Sequence, residues 1–399
     1  MLAIRAAQVF DGTLFRGAAT VLVEGEHIVA VEPGHPEPPD GAEVATYDGT
    51  LLPGLFDSHV HLVADGTLGS LERAGELSDE DLDAVIRTSL TAQLAGGVTT
   101  VRDLGDRHYR TLGMRALPGL PRVVAAGPPI TVPGGHCHYL GGEADGKDGV
   151  RAAVAEHVDR GVDVVKVMAS GGMLTPGTSS FGTQFEPGVL RALVEAAHDA
   201  ELRVLAHAHS VAGIRHAVAA GVDGIEHFTG LAPGGLQLPD DLLDEVAEAG
   251  TEVCPTAGAD PAFTPTRDQV APGLRQALEE LGVDFPGFMA ARIALFTRLF
   301  EHGVTVVTGT DAGISMAKRH GGARFAVHDL VRAGWSVAGA LATATSGAAA
   351  SCGLASVTGS LRRGYAADLL VVDGDLRDDV TALGRPQLVM ARGVVAGVE

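Results

Sequence analysis

Eight short apolar runs, at residues 50–58, 98–103, 122–127, 162–168, 203–206, 223–226, 251–255 and 305–308, each end near polar or glycine residues. Between them lie helix-like stretches at 82–95, 150–160, 187–200, 212–220, 239–249 and 285–302. Strand alternating with helix marks a parallel sheet, because parallel neighbours need a crossover connection. Eight repeats predict an α/β chain closed into a (β/α)8 TIM-like barrel, an architecture that absorbs roughly 250 residues in one domain. Pro187 and Pro239 suit the first helical position, where a missing N–H costs nothing.

The two ends read differently. Strand-like runs at 2–9, 19–24 and 27–32 precede the first repeat, and β signals without helices follow a helical 337–352. Bringing both ends together predicts a small β-sandwich domain from 1–52 and 353–399, beside a barrel at 53–352.

Composition narrows the partners. A formal charge of −21 disfavours nucleic acid and anionic membrane surfaces. Charges, Gly or Pro interrupt every apolar run, so no segment reads as a membrane span, and the N-terminus reads as a strand rather than a signal peptide. Three scattered cysteines, Cys137, Cys254 and Cys352, fit a reducing compartment, and a cytoplasmic location is expected. Cys137 sits between two histidines, but a single thiol in a glycine loop is read as structural.

Chemistry-bearing residues fall where a parallel barrel collects them, at the C-terminal ends of its strands. His59 and His61 end the first run, and alternation along a strand sends both imidazoles to one face. His207 closes the fifth run, His227 follows the sixth, and Asp311 follows the eighth. Lys166 stands late in the fourth. Only Lys147, Lys166 and Lys318 among 29 basic residues are lysine, so arginine serves wherever a generic cation suffices. A lysine inside a buried strand is costly unless paired or chemically altered, and only lysine can yield a nucleophilic amine. Any one of these six could be a packing residue; together they favour a metal site.

This assembled pattern resembles the amidohydrolase superfamily of metal-dependent hydrolases over nearly the whole chain. Within it the chain looks most like the Xaa-Pro dipeptidase (prolidase-like) and imidazolonepropionase-related subgroup. The closer similarity lies in Gly134-Gly-His-Cys-His-Tyr-Leu-Gly-Gly-Glu-Ala-Asp-Gly, Lys166-Val-Met-Ala-Ser-Gly-Gly, Gln184-Phe, His207-Ala-His and Ile225-Glu-His. The resemblance implies a carbamate on Lys166 bridging two divalent metals, with zinc the default for imidazole donors. By it His59, His61, Lys166 and Asp311 hold one metal, and Lys166, His207 and His227 the other. The expected reaction is hydrolysis of an amide or peptide bond in a dipeptide or N-acyl amino acid. A metal-bridging hydroxide attacks the carbonyl, and Asp311 shuttles the proton to the departing nitrogen.

His136, His209 and Tyr139 are the candidate substrate contacts, His136 first among them, because it lies with Tyr139 in a glycine-rich loop after the third run, where similar proteins bind the substrate's carboxylate end. His209 is read equally as a partner of a ligand. Glu143, Asp145 and Arg324 are left without a role; His138 is read as a solvated loop residue, and His108, His157, His198, His216, His302, His320 and His328 as surface or helix-face residues. The loops 104–118, 171–186 and 257–285 shape the pocket, and the last is long enough for a lid or extra helices. The partner is a small-molecule amide or dipeptide, and similar proteins often assemble as homo-oligomers. A lactone or ester hydrolase uses the same metal pair. Deaminase-type relatives lack the bridging lysine and carry an acid after the fifth-strand histidine, where this chain has Ala208 and His209. A non-catalytic scaffold would have lost ligands.

Overall fold

The computed structural model describes residues 1–115 and 117–397. The first and last parts of the chain share one seven-stranded sheet. Its order is Val394–Ala396, Pro386–Ala391, Leu369–Val372, Glu43–Pro53, Leu2–Phe10, Phe15–Glu24 and His27–Pro33. Leu2–Phe10 and Glu43–Pro53 run parallel and the other pairs antiparallel. Alternation along Leu369–Val372 shows how this sheet is tied to the rest. Leu369 and Val371 pack into a cluster with Ile4, Val21 and Leu51, while Leu370 and Val372 enter the main core.

The run at 50–58 was expected as one strand, and it is two. Glu43–Pro53 ends on a residue that cannot donate a ladder hydrogen bond, and Leu55–Val60 begins a different sheet. Gly54 makes the change of partner. Its N–H donates to the Asp368 carbonyl at 2.9 Å, and a Cβ there would lie 2.2 Å from the Oγ1 of buried Thr99.

Leu55–Val60, Val98–Asp103 and Arg122–Ala125 form a parallel three-stranded sheet. Val165–Met168, Val204–Ser210, Gly224–Ala232 and Glu252–Cys254 form a parallel run in a second, with the short Gly235–Leu236 on its edge. All but the last residue of Gly224–Ala232 and the first residues of Arg122–Ala125 and Glu252–Cys254 are buried along these parallel strands, as expected for strands covered on both faces. Single bridges join the pieces: Ile130 with Val167, Val253 with Val306, and Val60 with Ala312. The eighth run is held by individual hydrogen bonds rather than a ladder, Val253 N to the Thr305 carbonyl at 2.8 Å and Ser58 N to the Thr308 carbonyl at 2.9 Å.

Helices return the chain between strands, among them Asp79–Ala95, Gly146–Arg160, Pro187–Asp199, Val211–Ala220, Asp240–Ala249 and Phe285–Glu301. Ser78, Ser210 and Asp284 cap three of them by accepting from backbone N–H groups of the first turn. The long connection 257–285 holds a 3-10 turn, Arg267–Gln269, and the helix Pro272–Leu281. No helix among the described residues is long and apolar enough to cross a membrane.

Candidate metal centre

His59, His61, Lys166, His207, His227 and Asp311 all line one cavity of about 140 Å³ that opens to solvent. Their strands deliver them to the same end of the parallel sheets. Two three-donor groups stand out: His59, His61 and Asp311 in one, His207, His209 and His227 in the other, with donor atoms in each within 4.8 Å of one another. The Asp311 Oδ1 lies 3.4 Å from His59 Nε2 and 3.3 Å from His61 Nε2. The rings of His207 and His227 stand 4.4 Å apart between centroids.

Each imidazole is held by one nitrogen. His59 Nδ1 donates to Glu226 Oε2 at 2.6 Å, and His61 Nδ1 donates to the Gly105 carbonyl at 3.2 Å, so both Nε2 atoms carry a bare lone pair. His207 Nε2 meets the Gly171 carbonyl at 3.2 Å, which turns Nδ1 inward. Burial, reinforced by neighbouring cationic groups, keeps His207, His209 and His227 far below the ordinary imidazole range and brings His59 down to about 4, whereas His61, which burial also lowers, is raised overall by Asp311. Neutral imidazoles are the form that binds a metal.

Two buried atoms here have no hydrogen-bond partner, Lys166 Nζ and His59 Nε2. Lys166 is 1% exposed, and burial lowers its ammonium below the usual lysine range despite the carboxylates of Glu226 and Asp311. Buried polar atoms are almost always satisfied, so two orphans facing one ring of donors point to a group that fills the space between them. The donor set therefore fits divalent metals. Asp311 is held far below the usual carboxylate range: burial raises it, but His59, His61 and Lys318 more than offset that.

Backbone strain collects at the site. His227, Phe228, Thr256 and Asp311 have φ of 70°, 47°, 45° and 64°, a region where a β-branched residue such as Thr256 is a clear outlier. Asp57 helps to hold the turn at 309–311, accepting from Thr310 N at 2.8 Å and Thr310 Oγ1 at 2.6 Å.

The expected substrate contacts fall in two places. His136 lines the cavity, its Nδ1 2.9 Å from Thr175 Oγ1 and its ring 4.6 Å from that of His207. Gly172 makes room for it, since a Cβ there would sit 2.2 Å from the ring. His209 also lines the cavity, linked by Nδ1 to Thr229 Oγ1 at 2.8 Å. Tyr139 stands behind this wall, donating to Cys137 Sγ at 3.7 Å, and lines a neighbouring groove instead. Burial pushes the Cys137 thiol up to about 12, so it stays protonated. Glu143 is bound to Gly134 N and Arg324 to the Gly321 carbonyl, and neither they nor Asp145 line this cavity. His157, expected on a surface or helix face, is buried with Nε2 2.9 Å from the Pro128 carbonyl.

Sequence reasoning gave no role to Glu226, Arg102, Arg292 or Lys318. Glu226 is fixed on its far side by Arg102, whose Nη2 lies 3.7 Å away and whose Nε donates to the Ser58 carbonyl at 2.8 Å. Burial alone would raise the Glu226 carboxyl, but His59, Lys166 and Arg102 together lower it to about 2. A carboxylate behind a histidine sets its tautomer and aim, and loss of such a partner costs about 10–100-fold in metal affinity. Glu226→Ala is expected to weaken zinc binding by that factor in a titration against a fluorescent chelator. Unchanged affinity would leave packing alone to orient His59.

Residues 50–396 match the family model described as the amidohydrolase family. A protein of Mycobacterium tuberculosis, itself described as uncharacterised, is 30% identical over 368 residues, 90% of this chain and 89% of its own. Ochratoxinase of Aspergillus niger is 26% identical over 374 residues, 85% of this chain and 73% of that enzyme. Among solved structures, a Xaa-Pro dipeptidase with methionine bound in its active site matches with a TM-score of 0.83 at 26% identity, covering 99% of both chains.

Proposed function

The chain belongs to the amidohydrolase family, and from that membership and the donor geometry we propose that it hydrolyses a C–N amide or peptide bond of a small molecule at a pair of divalent metals. The observation that carries this is the unpartnered, buried Lys166 Nζ beside the bare lone pair of His59. We read Lys166 as carbamylated: burial shifts the amine towards its neutral form, the one that combines with CO2, and the product offers two oxygens. His59, His61 and Asp311 then serve one ion and His207 and His227 the other, Lys166 being common to both. His209 lies close enough to the second group to join it or to touch substrate. A pair of divalent metals held there, zinc by preference for imidazole donors, would supply a Lewis acid for the carbonyl and an acidified water.

The chain's own residues do the rest. Asp311, ionised at neutral pH, accepts the proton of the attacking water and returns it to the leaving nitrogen. His136, on the cavity wall beside His207, faces the substrate. The apolar wall limits bulk water around the reacting bond. The single bridges at Ile130, Val306 and Val60 support reading the two parallel sheets as arcs of one (β/α)8 barrel, residues 53–352. Residues 1–52 and 353–399 are read as the small β domain beside it.

The test is a panel of dipeptides, Xaa-Pro dipeptides included, and N-acyl amino acids with metal-loaded protein. Turnover is expected to vanish on chelation and to return with zinc, at about two metals per chain by elemental analysis. One metal per chain with ammonia release from an amine substrate would point to a deaminase instead. Turnover of esters or lactones alone would move the attacked bond from C–N to C–O.

A further inference from the structure

Strained backbone persists only where its surroundings hold it, and four strained residues stand around the donors. His227 and Phe228 are consecutive, Thr256 follows the neighbouring strand Glu252–Cys254, and Asp311 follows the eighth run, with φ of 70°, 47°, 45° and 64°. A left-handed residue turns its flanking peptides away from the course of the strand, and their carbonyls then need other donors. Among the described residues, no backbone N–H of a turn or loop donates to the carbonyls of Pro255, Thr256 or Thr310. All three are bonded nonetheless, and the donors are side chains.

Two buried cations supply them. Arg292, on the helix Phe285–Glu301, donates through Nη2 to the His227 carbonyl at 3.2 Å and to the Pro255 carbonyl. Its Nη1 donates to Thr229 Oγ1 at 2.8 Å. Lys318 Nζ donates to the carbonyls of Thr256 at 2.7 Å and Thr310 at 2.8 Å. The His227 carbonyl belongs to the peptide between the two consecutive strained residues. Those of Pro255 and Thr256 flank Thr256 on both sides, and that of Thr310 precedes Asp311. Each of the four strained residues thus adjoins a peptide bonded to a cation.

Cations suit this task. Charge-assisted hydrogen bonds are the stronger kind, and five N–H donors on a guanidinium or three on an ammonium let one side chain span two segments. Burial lowers Arg292 only to about 10, which leaves it charged at neutral pH. At Lys318 the charge of Asp311 works against burial, while the hydrogen bonds go to carbonyls. The loop bearing Lys318 doubles back, Gly313 N donating to the Lys318 carbonyl at 2.8 Å, which returns the side chain to the turn that carries Asp311. The braced segments lead to the donors: Thr256 Oγ1 lies 3.1 Å from His227 Nδ1, and Thr229 Oγ1 lies 2.8 Å from His209 Nδ1.

We propose that Arg292 and Lys318 are positioning residues, two internal cations that clamp the strained peptides at 227–228, 255–256 and 310–311 and so hold His227 and Asp311 in place before any ion or substrate arrives. What the clamp does for the ions rests on the proposed metal pair; the clamp itself belongs to the chain alone.

Hydrogen exchange read by mass spectrometry on the full-length chain, before and after zinc loading, tests it. Before loading, Lys318→Met is expected to speed exchange at 255–258 and 309–312 at least about tenfold and to leave the strand Val98–Asp103 unchanged. Zinc affinity, from competition with a chelator, should fall at least about tenfold at both sites, because Lys318 holds both turns. Arg292→Met should weaken the site of His207 and His227 alone. Lys318→Arg keeps charged donors and should restore most of the protection and affinity. Lys318→Gln, neutral but still polar, takes the place of Lys318→Met should that variant fail to fold. Unchanged exchange at the two turns, or unchanged zinc affinity, would overturn the clamp, as would faster exchange spread over the whole chain. A wild-type protein that takes up no zinc would sink the metal reading instead, and exchange at the two turns would then decide the clamp by itself.

Discussion

Lys166→Met is expected to give a folded protein that hydrolyses no amide and holds less than one metal per chain. The amine is buried and unpartnered, so as a plain lysine it contributes nothing to stability and costs desolvation. Replacing it by an apolar side chain of similar length should stabilise the metal-free protein, on the order of 1–3 kcal/mol. Read as a carbamate, however, the same residue is the only group common to both ligand sets, and its loss should lower kcat by about 1000-fold or more. The two effects have opposite signs, and that makes the variant diagnostic. Thermal melts in chelator, elemental analysis and turnover on one preparation read all three quantities. A lower melting temperature together with full metal content and activity would reduce Lys166 to a packing residue. Lys166→Arg sharpens the comparison, because a guanidinium is a long basic side chain that cannot form a carbamate.

Asp311→Asn should separate holding metal from moving a proton. The residue has φ of 64°, and asparagine tolerates that left-handed conformation, so the backbone turn should survive. Its amide oxygen can still face His59 and His61, at 3.4 and 3.3 Å from the present Oδ1, and much of the metal should remain bound. What disappears is the ionised oxygen that accepts a proton, and kcat should fall about 10²–10⁴-fold with KM little changed. Full turnover in this variant would remove Asp311 from proton transfer and leave it a ligand alone.

The candidate ligands were legible because parallel strands convert position in the chain into position in space. Each lies at the end of an apolar run, and parallel strands turn all such ends to one side. The eighth run is joined by a single bridge at Val306, yet Asp311, which follows it, still reaches the cavity, because Asp311 N donates to the His59 carbonyl at 2.7 Å and Ala312 bridges Val60. Lysine scarcity singled out Lys166, and the same argument, applied evenly, would have flagged Lys318. Glu226 was visible as an acid in an apolar run beside His227, but its target was not. His59 lies 167 positions away along the chain. Arg292 carried no signal at all, standing as one cation in an amphipathic helix where a solvated charge is the ordinary expectation.

What the sequence determined by itself is the list of candidate donors, their strand-end placement and the alternation that builds the parallel sheets, since those follow from local period and residue chemistry. Tertiary structure alone decided where Gly54 divides two strands, that Tyr139 stands behind Cys137 and outside the cavity, and that Arg292 and Lys318 line the cavity. Burial and the identity of a neighbour are properties of surfaces brought together from distant segments, and no window of sequence contains both sides of such a contact.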